Sequence, residues 1–146
     1  MPLKRAVGAR GNARYLFQKL AVNDLETVAS FCEQTFELVR LKSNEELILG
    51  DRMQEVTFQA THPDGAELTL VHWPDRPPVT TGASIVGFTT TDLAALVDRA
   101  EAAGGRLGEP IIRLDDERLS VALLLDPEGN IYEVVELDPG AWEVSR

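Results

Sequence analysis

The chain has 146 residues, of which 44% are hydrophobic and 26% are charged, and its formal net charge is −10. This composition indicates one globular domain that is large enough to bury a core. The negative charge argues against nucleic acid and membrane surfaces as partners, because both are anionic and repel it. No apolar run approaches the roughly 20 residues that a membrane span requires, and no signal-peptide pattern opens the chain, so we expect a cytoplasmic protein.

Basic residues are concentrated at the start of the chain. Residues 1–14 contain four lysines and arginines and no acidic residue. We interpret residues 1–14 as a flexible basic arm, and the alternative is that this arm docks on an acidic surface of a partner subunit. At the other end, residues 138–146 are predicted to form a C-terminal tail.

The first predicted unit is a strand followed by a helix. Alternation predicts the strand over Tyr15–Val22, and Asp24 is the expected N-cap of the helix. Cys32 is the single cysteine of the chain and lies on the apolar stripe of this helix, so we interpret it as a packed thiol rather than a nucleophile. The residues at helical spacing are Leu25, Val28, Ala29, Cys32 and Phe36.

Three strands are predicted after this helix, and they complete a first module over residues 15–73. His62–Gly65 has the sequence of a hairpin turn between the last two of them. A proline-rich linker follows at residues 74–83. The predicted strands are Glu37–Leu41, Glu55–Thr61 and Glu67–Trp73, and a polar link separates the first strand from the second.

The same order of elements recurs in a second module over residues 84–137. Asp92-Leu93 opens a helix 68 residues after Asp24-Leu25 opens the first one, and Gly104-Gly105 is expected to end it. Such repetition indicates two copies of one supersecondary unit, related by a pseudo-twofold axis. The predicted elements are Ser84–Thr90, the helix Leu93–Ala103, and the strands Ile111–Leu114, Leu119–Leu125 and Ile131–Leu137.

A turn with a clear physical basis lies between the last two strands. In Asp126-Pro127-Glu128-Gly129, proline presets φ and glycine supplies the positive φ that closes the turn. In the strand that follows, Glu133 alternates onto the same face as Ile131 and Val135. A lone carboxylate on an apolar face is costly to bury unless it is paired or binds a cation.

The segment Asp126–Asn130 followed by Glu133, together with the repeated order of strand, helix and three strands, resembles the vicinal oxygen chelate superfamily. That group contains glyoxalase I, bleomycin-resistance proteins and extradiol dioxygenases. The resemblance covers Tyr15–Leu137 and implies an α+β fold of two βαβββ modules, whose sheets form a cupped half-barrel with the binding site on its concave face. It also implies a homodimer, because members often build or complete the cup across two subunits.

The resemblance further implies four positions for metal ligands, of which two keep a carboxylate. The first-strand positions fall on Phe17 and on Ile85, or on Ser84 after a one-residue slip, and the last-strand positions fall on Glu67 and Glu133. Phe17 and Ile85 cannot bind a metal, and transition-metal sites usually recruit nitrogen or sulfur ligands. We therefore expect no cofactor, although a hard divalent metal could bind weakly to the two glutamates.

Neither histidine is expected to replace the missing ligands. His62 lies in the hairpin turn, and His72 follows Glu67 by five residues and therefore faces the other side of the strand. By strand parity, Lys19 faces the cup, where it is expected to pair with Glu67 or Glu133, and the alternative is that it extends to the rim. The candidate ligand-binding residues of the cup are Phe17, Lys19, Thr69, Ile85 and Gly87.

Three functions are compatible with this pattern. The first is non-catalytic binding of a small, partly apolar molecule, as in the bleomycin-resistance branch that the chain resembles. The second is an atypical lyase, isomerase or dioxygenase-like enzyme, in which Glu133 or Glu67 acts as general base next to a carbonyl, with a pKa raised by an apolar cup. The third is an ordinary glyoxalase-type metal lyase, which the absence of a first-strand ligand near Phe17 disfavours.

Overall fold

The computed structural model describes the backbone of residues 3–5 and 11–144 and the side chains of residues 11–141. Within these residues, neither helix is long and apolar enough to cross a membrane. The elements in chain order are β1 (Leu3–Arg5), β2 (Phe17–Ala21), α1 (Leu25–Phe36), β3 (Arg40–Ile48), β4 (Asp51–Phe58), β5 (Glu67–His72), β6 (Ile85–Thr90), α2 (Leu93–Ala102), β7 (Arg106–Leu107), β8 (Ile112–Leu114), β9 (Leu119–Leu125), β10 (Ile131–Leu137) and β11 (Trp142–Val144).

Two mixed sheets and two helices form the body of the protein, which confirms the predicted α+β fold. The sheet of module 1 has the order β2-β5-β4-β3, and the sheet of module 2 has the order β6-β10-β9-β7, with β8 also paired to β9. In each sheet the first and last strands of the module run parallel, and the other pairs are antiparallel. Each sheet carries helices on one face, called its back here, and leaves the other face open.

Both helices begin with the same cap. The Asp24 carboxylate accepts a hydrogen bond from the backbone N–H of Thr27 at 3.1 Å, as predicted. Asp92 accepts one from the backbone N–H of Ala95, also at 3.1 Å. Side-chain capping satisfies an N–H group that has no partner within the helix, so it fixes where each helix starts. The repetition of the cap matches the repetition seen in the sequence.

The prediction was wrong for residues 42–54, which we expected to be mainly a polar link. They lie in a hairpin of β3 and β4, closed by Leu49 and Gly50 with φ of 53° and 85°. β3 is exposed along most of its length, on both faces, so its sequence carries no alternation of apolar and polar residues. Cross-strand hydrogen bonds rather than a buried face therefore define this strand.

The chain ends also differ in part from the predicted arm and tail. The backbone of Leu3–Arg5 pairs in parallel with that of Trp142–Val144, so a part of the basic arm is hydrogen-bonded to a part of the C-terminal tail. The remaining residues at the ends, 1–2, 6–10 and 145–146, lie outside the described residues, as does any docking of the arm.

The backs of the two sheets share one hydrophobic core with both helices. Phe36 of α1 stacks on Phe88 of β6 with 3.9 Å between ring centroids, and Phe31 of α1 lies 5.5 Å from the ring of Tyr132 on β10. Cys32 is fully buried beside Tyr132, and burial raises the pKa of its thiol to about 12, consistent with a packed thiol. Because the backs meet in the middle, both open faces are turned away from the shared core.

A buried carboxylate organises the turn between β9 and β10. Asp126 is 1% exposed and accepts hydrogen bonds from the backbone N–H groups of Glu128 and Asn130, from the Asn130 amide and from the Tyr132 hydroxyl, all at 2.9 to 3.0 Å. Glu128 in turn accepts the backbone N–H groups of Asn23 and Asp24 at 2.9 Å. The turn of module 2 is thereby attached to the start of α1 in module 1.

We expect Asp126→Ala to lower the free energy of unfolding by about 3 kcal/mol, because it leaves several buried donors without an acceptor. Urea unfolding followed by circular dichroism measures this change. Asp116→Ala is the control, since Asp116 is exposed and makes no side-chain hydrogen bond within the described residues. Equal unfolding midpoints for the two variants would contradict the structural role assigned to Asp126.

Candidate functional site

The open face of module 1 carries polar side chains along its central strands. Phe17 and Lys19 of β2 lie directly opposite Glu67 and Thr69 of β5, so all four project from the same face. The hydroxyl groups of Thr57 and Thr69 lie 3.2 Å apart and are buried. This part of the face offers hydrogen-bonding groups that are already held in place.

Lys19 pairs with Glu55 of β4, and not with Glu67 or Glu133 as predicted. Lys19 Nζ lies 2.8 Å from Glu55 Oε2, with side-chain exposures of 32% and 4%. Asn44 of β3 donates to Glu55 Oε1 at 3.0 Å, so both carboxylate oxygens have a hydrogen-bond partner. The predicted partners fail for different reasons, since Glu133 belongs to the other sheet and Glu67 lies beside Phe17 rather than across the sheet from Lys19.

Glu55 and Asn44 are the residues that sequence reasoning missed. Glu55 was placed at the start of a strand without a role, and Asn44 fell in the supposed polar link. Lys19 reaches Glu55 across β5, where the short side chain of Thr69 leaves space. The sequence could have indicated Glu55, because it is two residues from Thr57 in the same strand. Both side chains therefore project from one face of the sheet, which places a carboxylate in the middle of that face.

The open face of module 2 is mainly aliphatic around one carboxylate, with Thr89 opposite Val135 and Arg106 opposite Leu125 as its other polar residues. Glu133 lies opposite Gly87 on β6 and opposite Leu123 on β9. Ile131 and Val135 flank Glu133 on its own strand. None of these four neighbours of Glu133 is a cation. The sequence raised the possibility that Glu133 is a buried, unpaired carboxylate. In the single chain Glu133 is exposed, so water solvates it. Ile85, two residues before Gly87, is 58% exposed.

Glu67 and Glu133 are not equivalent residues in the two modules, which corrects the assignment made from sequence. Offset by 68 residues, Lys19 corresponds to Gly87, and these residues lie opposite Thr69 and Glu133, respectively. Thr69 is therefore the counterpart of Glu133. The four positions expected for metal ligands then hold Phe17, Thr69, Ile85 and Glu133, and only the last is a strong ligand.

This set of side chains does not fit a transition metal, because such sites need several nitrogen, sulfur or carboxylate donors. Within the side chains that the structure describes, no group of three or more His, Cys, Asp and Glu residues is arranged to hold a metal ion. His72 is half-buried, with Nδ1 3.1 Å from the carbonyl oxygen of Val22. His72 therefore lies on the side of β5 opposite to Glu67, as strand parity predicts.

A groove of about 480 Å³ lies at one end of the module 1 sheet. His62, in the predicted hairpin turn, and Glu67 both line it, together with Leu41. The turn itself is formed as expected, with Gly65 N–H donating to the carbonyl oxygen of His62 at 3.1 Å. The groove therefore brings one histidine and one of the predicted glutamates to the rim of the open face.

The pKa of Glu55 lies below its ordinary value of 4.5. Burial alone would raise this pKa. The hydrogen bonds from Lys19 and Asn44, together with the positive charges of Lys19 and Lys42, lower it by more than burial raises it. A carboxylate with a lower pKa in the folded state stabilises the fold above its unfolded-state pKa. That contribution is lost as the pH falls through the folded-state value.

We expect Glu55→Gln to reduce the free energy of unfolding by about 2 kcal/mol at pH 7, because it breaks a charge-assisted contact with Lys19. The variant should also lose stability less steeply than the original protein as the pH falls below 4.5. Urea unfolding at several pH values measures both effects, with Glu101→Gln on the exposed side of α2 as control. Parallel pH profiles for all three proteins would be the contrary result.

Comparison with protein families gives one extended match. The family model of the Glyoxalase/Bleomycin resistance protein/Dioxygenase superfamily matches residues 14–134. None of the curated protein sequences gives a match to the chain. The matched residues include both sheets up to the middle of β10, and with them every candidate site residue named above.

Several solved structures have the same fold at low sequence identity. A glyoxalase family protein from Bacillus cereus superposes with a TM-score of 0.74 at 16% identity, covering 90% of this chain and 100% of that chain. A glyoxalase-related enzyme from Fulvimarina pelagi has a TM-score of 0.60 at 22% identity, with 83% and 86% covered. For glyoxalase I from Zea mays the TM-score is 0.68 at 17% identity, with 86% of this chain but 45% of the maize chain covered.

The chain thus spans less than half of the maize protein, and at these identities the likeness establishes the fold alone. The family model, in contrast, covers most of the chain. The chain therefore belongs to the glyoxalase/bleomycin resistance protein/dioxygenase superfamily.

Proposed function

We propose that this protein binds a small, partly apolar molecule without a catalytic metal, in a cup that two copies of the chain build together. The contrast between the two open faces carries the proposal. The face of module 1 holds charged and hydroxyl groups, among them Lys19, Glu55 and Thr69, whereas the face of module 2 is mainly aliphatic around Glu133. A ligand with an apolar body and one polar handle is complementary to such a pair of faces.

The free edges of the two sheets support the homodimer. Among the described strands, β2 pairs with β5 alone and β6 pairs with β10 alone. Their side chains Phe17 and Ile85 are 46% and 58% exposed, and the edges carry unpaired backbone groups that favour further strand pairing. Placing β2 of one copy beside β6 of another would join an open face of module 1 to an open face of module 2. Twofold symmetry then gives two such cups in each dimer.

An atypical lyase or isomerase has less support. Glu133 is exposed in the single chain, and Glu67 does not occupy the equivalent position in module 1. Within the described residues, neither carboxylate makes a side-chain hydrogen bond or an ion pair that would orient it as a general base. Binding requires no such partner, so we place it first.

The homodimer predicts a molar mass near twice 16.0 kDa by light scattering after gel filtration. Phe17→Asp should shift the protein towards the monomer, because a charge would be buried where the two edges meet. Leu49→Asp is the matched control, since Leu49 is 90% exposed at the tip of the β3–β4 hairpin, away from both edges. A monomeric original protein would remove the basis for the shared cup.

The binding function predicts that a neutral apolar probe, 2-(1-naphthyl)ethanol, gains fluorescence with the protein at one site per chain. Leu123→Thr on the open face of module 2 should weaken this binding about tenfold, because it removes apolar contact while keeping a strand-forming residue. Leu47→Thr, at an exposed position of β3, serves as the control.

The same preparations separate the competing functions. Elemental analysis of protein purified without chelator, and thermal melts with Ni²⁺, Zn²⁺, Mn²⁺ and Mg²⁺, should give no bound metal and no shift. A metal near one per chain, or a melting shift that Glu133→Ala removes, would contradict the proposal and favour metal-dependent lyase chemistry. Absence of probe binding by the dimer would also contradict it.

A further inference from the structure

We propose that the polar handle of the ligand is a protonated amine, and that Glu133 is its counter-charge. This inference rests on the proposed binding function and adds the chemical class of the ligand. The nearest neighbours of Glu133 on its face are aliphatic, namely Ile131, Val135 and Leu123. Closing the cup over this face would remove water from a carboxylate, which is unfavourable unless a cation arrives with the ligand.

Among the side chains of residues 11–141, none provides a cation that pairs with Glu133. Lys19, the residue best placed on the facing sheet, is held by Glu55 at 2.8 Å. Lys42 lies on β3, the outermost strand of that sheet and the one farthest from the free edge at β2. On the module 2 side, Arg106 is at the margin of the face, opposite Leu125, and makes no ion pair with Glu133 within the described residues.

There is also space for a ligand group next to Glu133. Gly87 is the residue directly opposite on β6, so no side chain covers the carboxylate from that strand. A Cβ atom built on Gly87 would meet only the carbonyl oxygen of Glu133, at 4.0 Å. The counterpart of Gly87 in module 1 is Lys19, which means that module 2 has a gap where module 1 has an ammonium group.

An organic cation suits this position better than a metal ion. One carboxylate without neighbouring donors gives a metal too few ligands, since Thr69, Phe17 and Ile85 fill the other three expected positions. An ammonium group needs only one strong acceptor, and the aliphatic residues around Glu133 can contact the carbon skeleton that carries it. The remaining charges of the two faces are paired or lie at the margin.

Three fluorescent probes of matched size test the inference: 2-(1-naphthyl)ethylamine, 2-(1-naphthyl)ethanol and 1-naphthylacetate, titrated into the dimer at pH 7. We expect the amine to bind about fivefold more tightly than the alcohol, and the carboxylate to bind most weakly, as for a partly exposed charge pair. The advantage of the amine should decrease at high salt. Glu133→Gln should remove the difference in affinity between the amine and the alcohol, and Glu101→Gln should preserve that difference.

The outcomes separate this inference from the function on which it rests. If the alcohol does not bind, the proposed binding function fails. If all three probes bind equally, or if 1-naphthylacetate binds best, the cup binds ligands but the proposed preference for an amine is overturned. Displacement of the amine by Mn²⁺ at one ion per chain would overturn it as well, because the counter-charge would then be a metal. Because Glu133 is exposed in the single chain, Glu133→Gln should melt like the original protein.

Discussion

The buried carboxylate of Asp126 is the contact on which the relation between the two modules depends. It holds the β9–β10 turn through two backbone N–H groups and connects that turn to the core through the Tyr132 hydroxyl. With the turn fixed, Glu128 can accept the first N–H groups before α1. Helix α1 then lies between the backs of both sheets, and this arrangement turns the two open faces outward.

The two open faces carry different side chains, whereas the buried backs of the two sheets carry similar ones. Both backs contribute aliphatic and aromatic residues to one core, so the two modules are similar there. On their open faces they have diverged, because nothing in the single chain requires complementarity at these positions. Module 1 holds an ion pair and two hydroxyl groups where module 2 holds aliphatic side chains, a glycine and Glu133.

Local features of the fold could be predicted from sequence, and non-local ones could not. The helix starts at Asp24 and Asp92 and the turn at Asp126 are set by residues within a few positions of one another. β9 and β10 are largely apolar segments on either side of this turn, and both were predicted with their observed ends. β3 has no buried face and was mistaken for a link. The pairing of Lys19 with Glu55 depends on the order of three strands, which no short pattern records.

The outward direction of the two open faces has a genetic consequence. In a dimer whose cups each take module 1 from one copy and module 2 from the other, a chain altered at Lys19 and a chain altered at Glu133 damage different halves. Their mixed dimer would contain one cup with both alterations and one cup with neither. Co-expression of the two inactive alleles at equal levels would make half of the dimers mixed and would restore a quarter of all cups, which is intragenic complementation. In contrast, a chain that carries both alterations, paired with a wild-type chain, would leave one lesion in each cup.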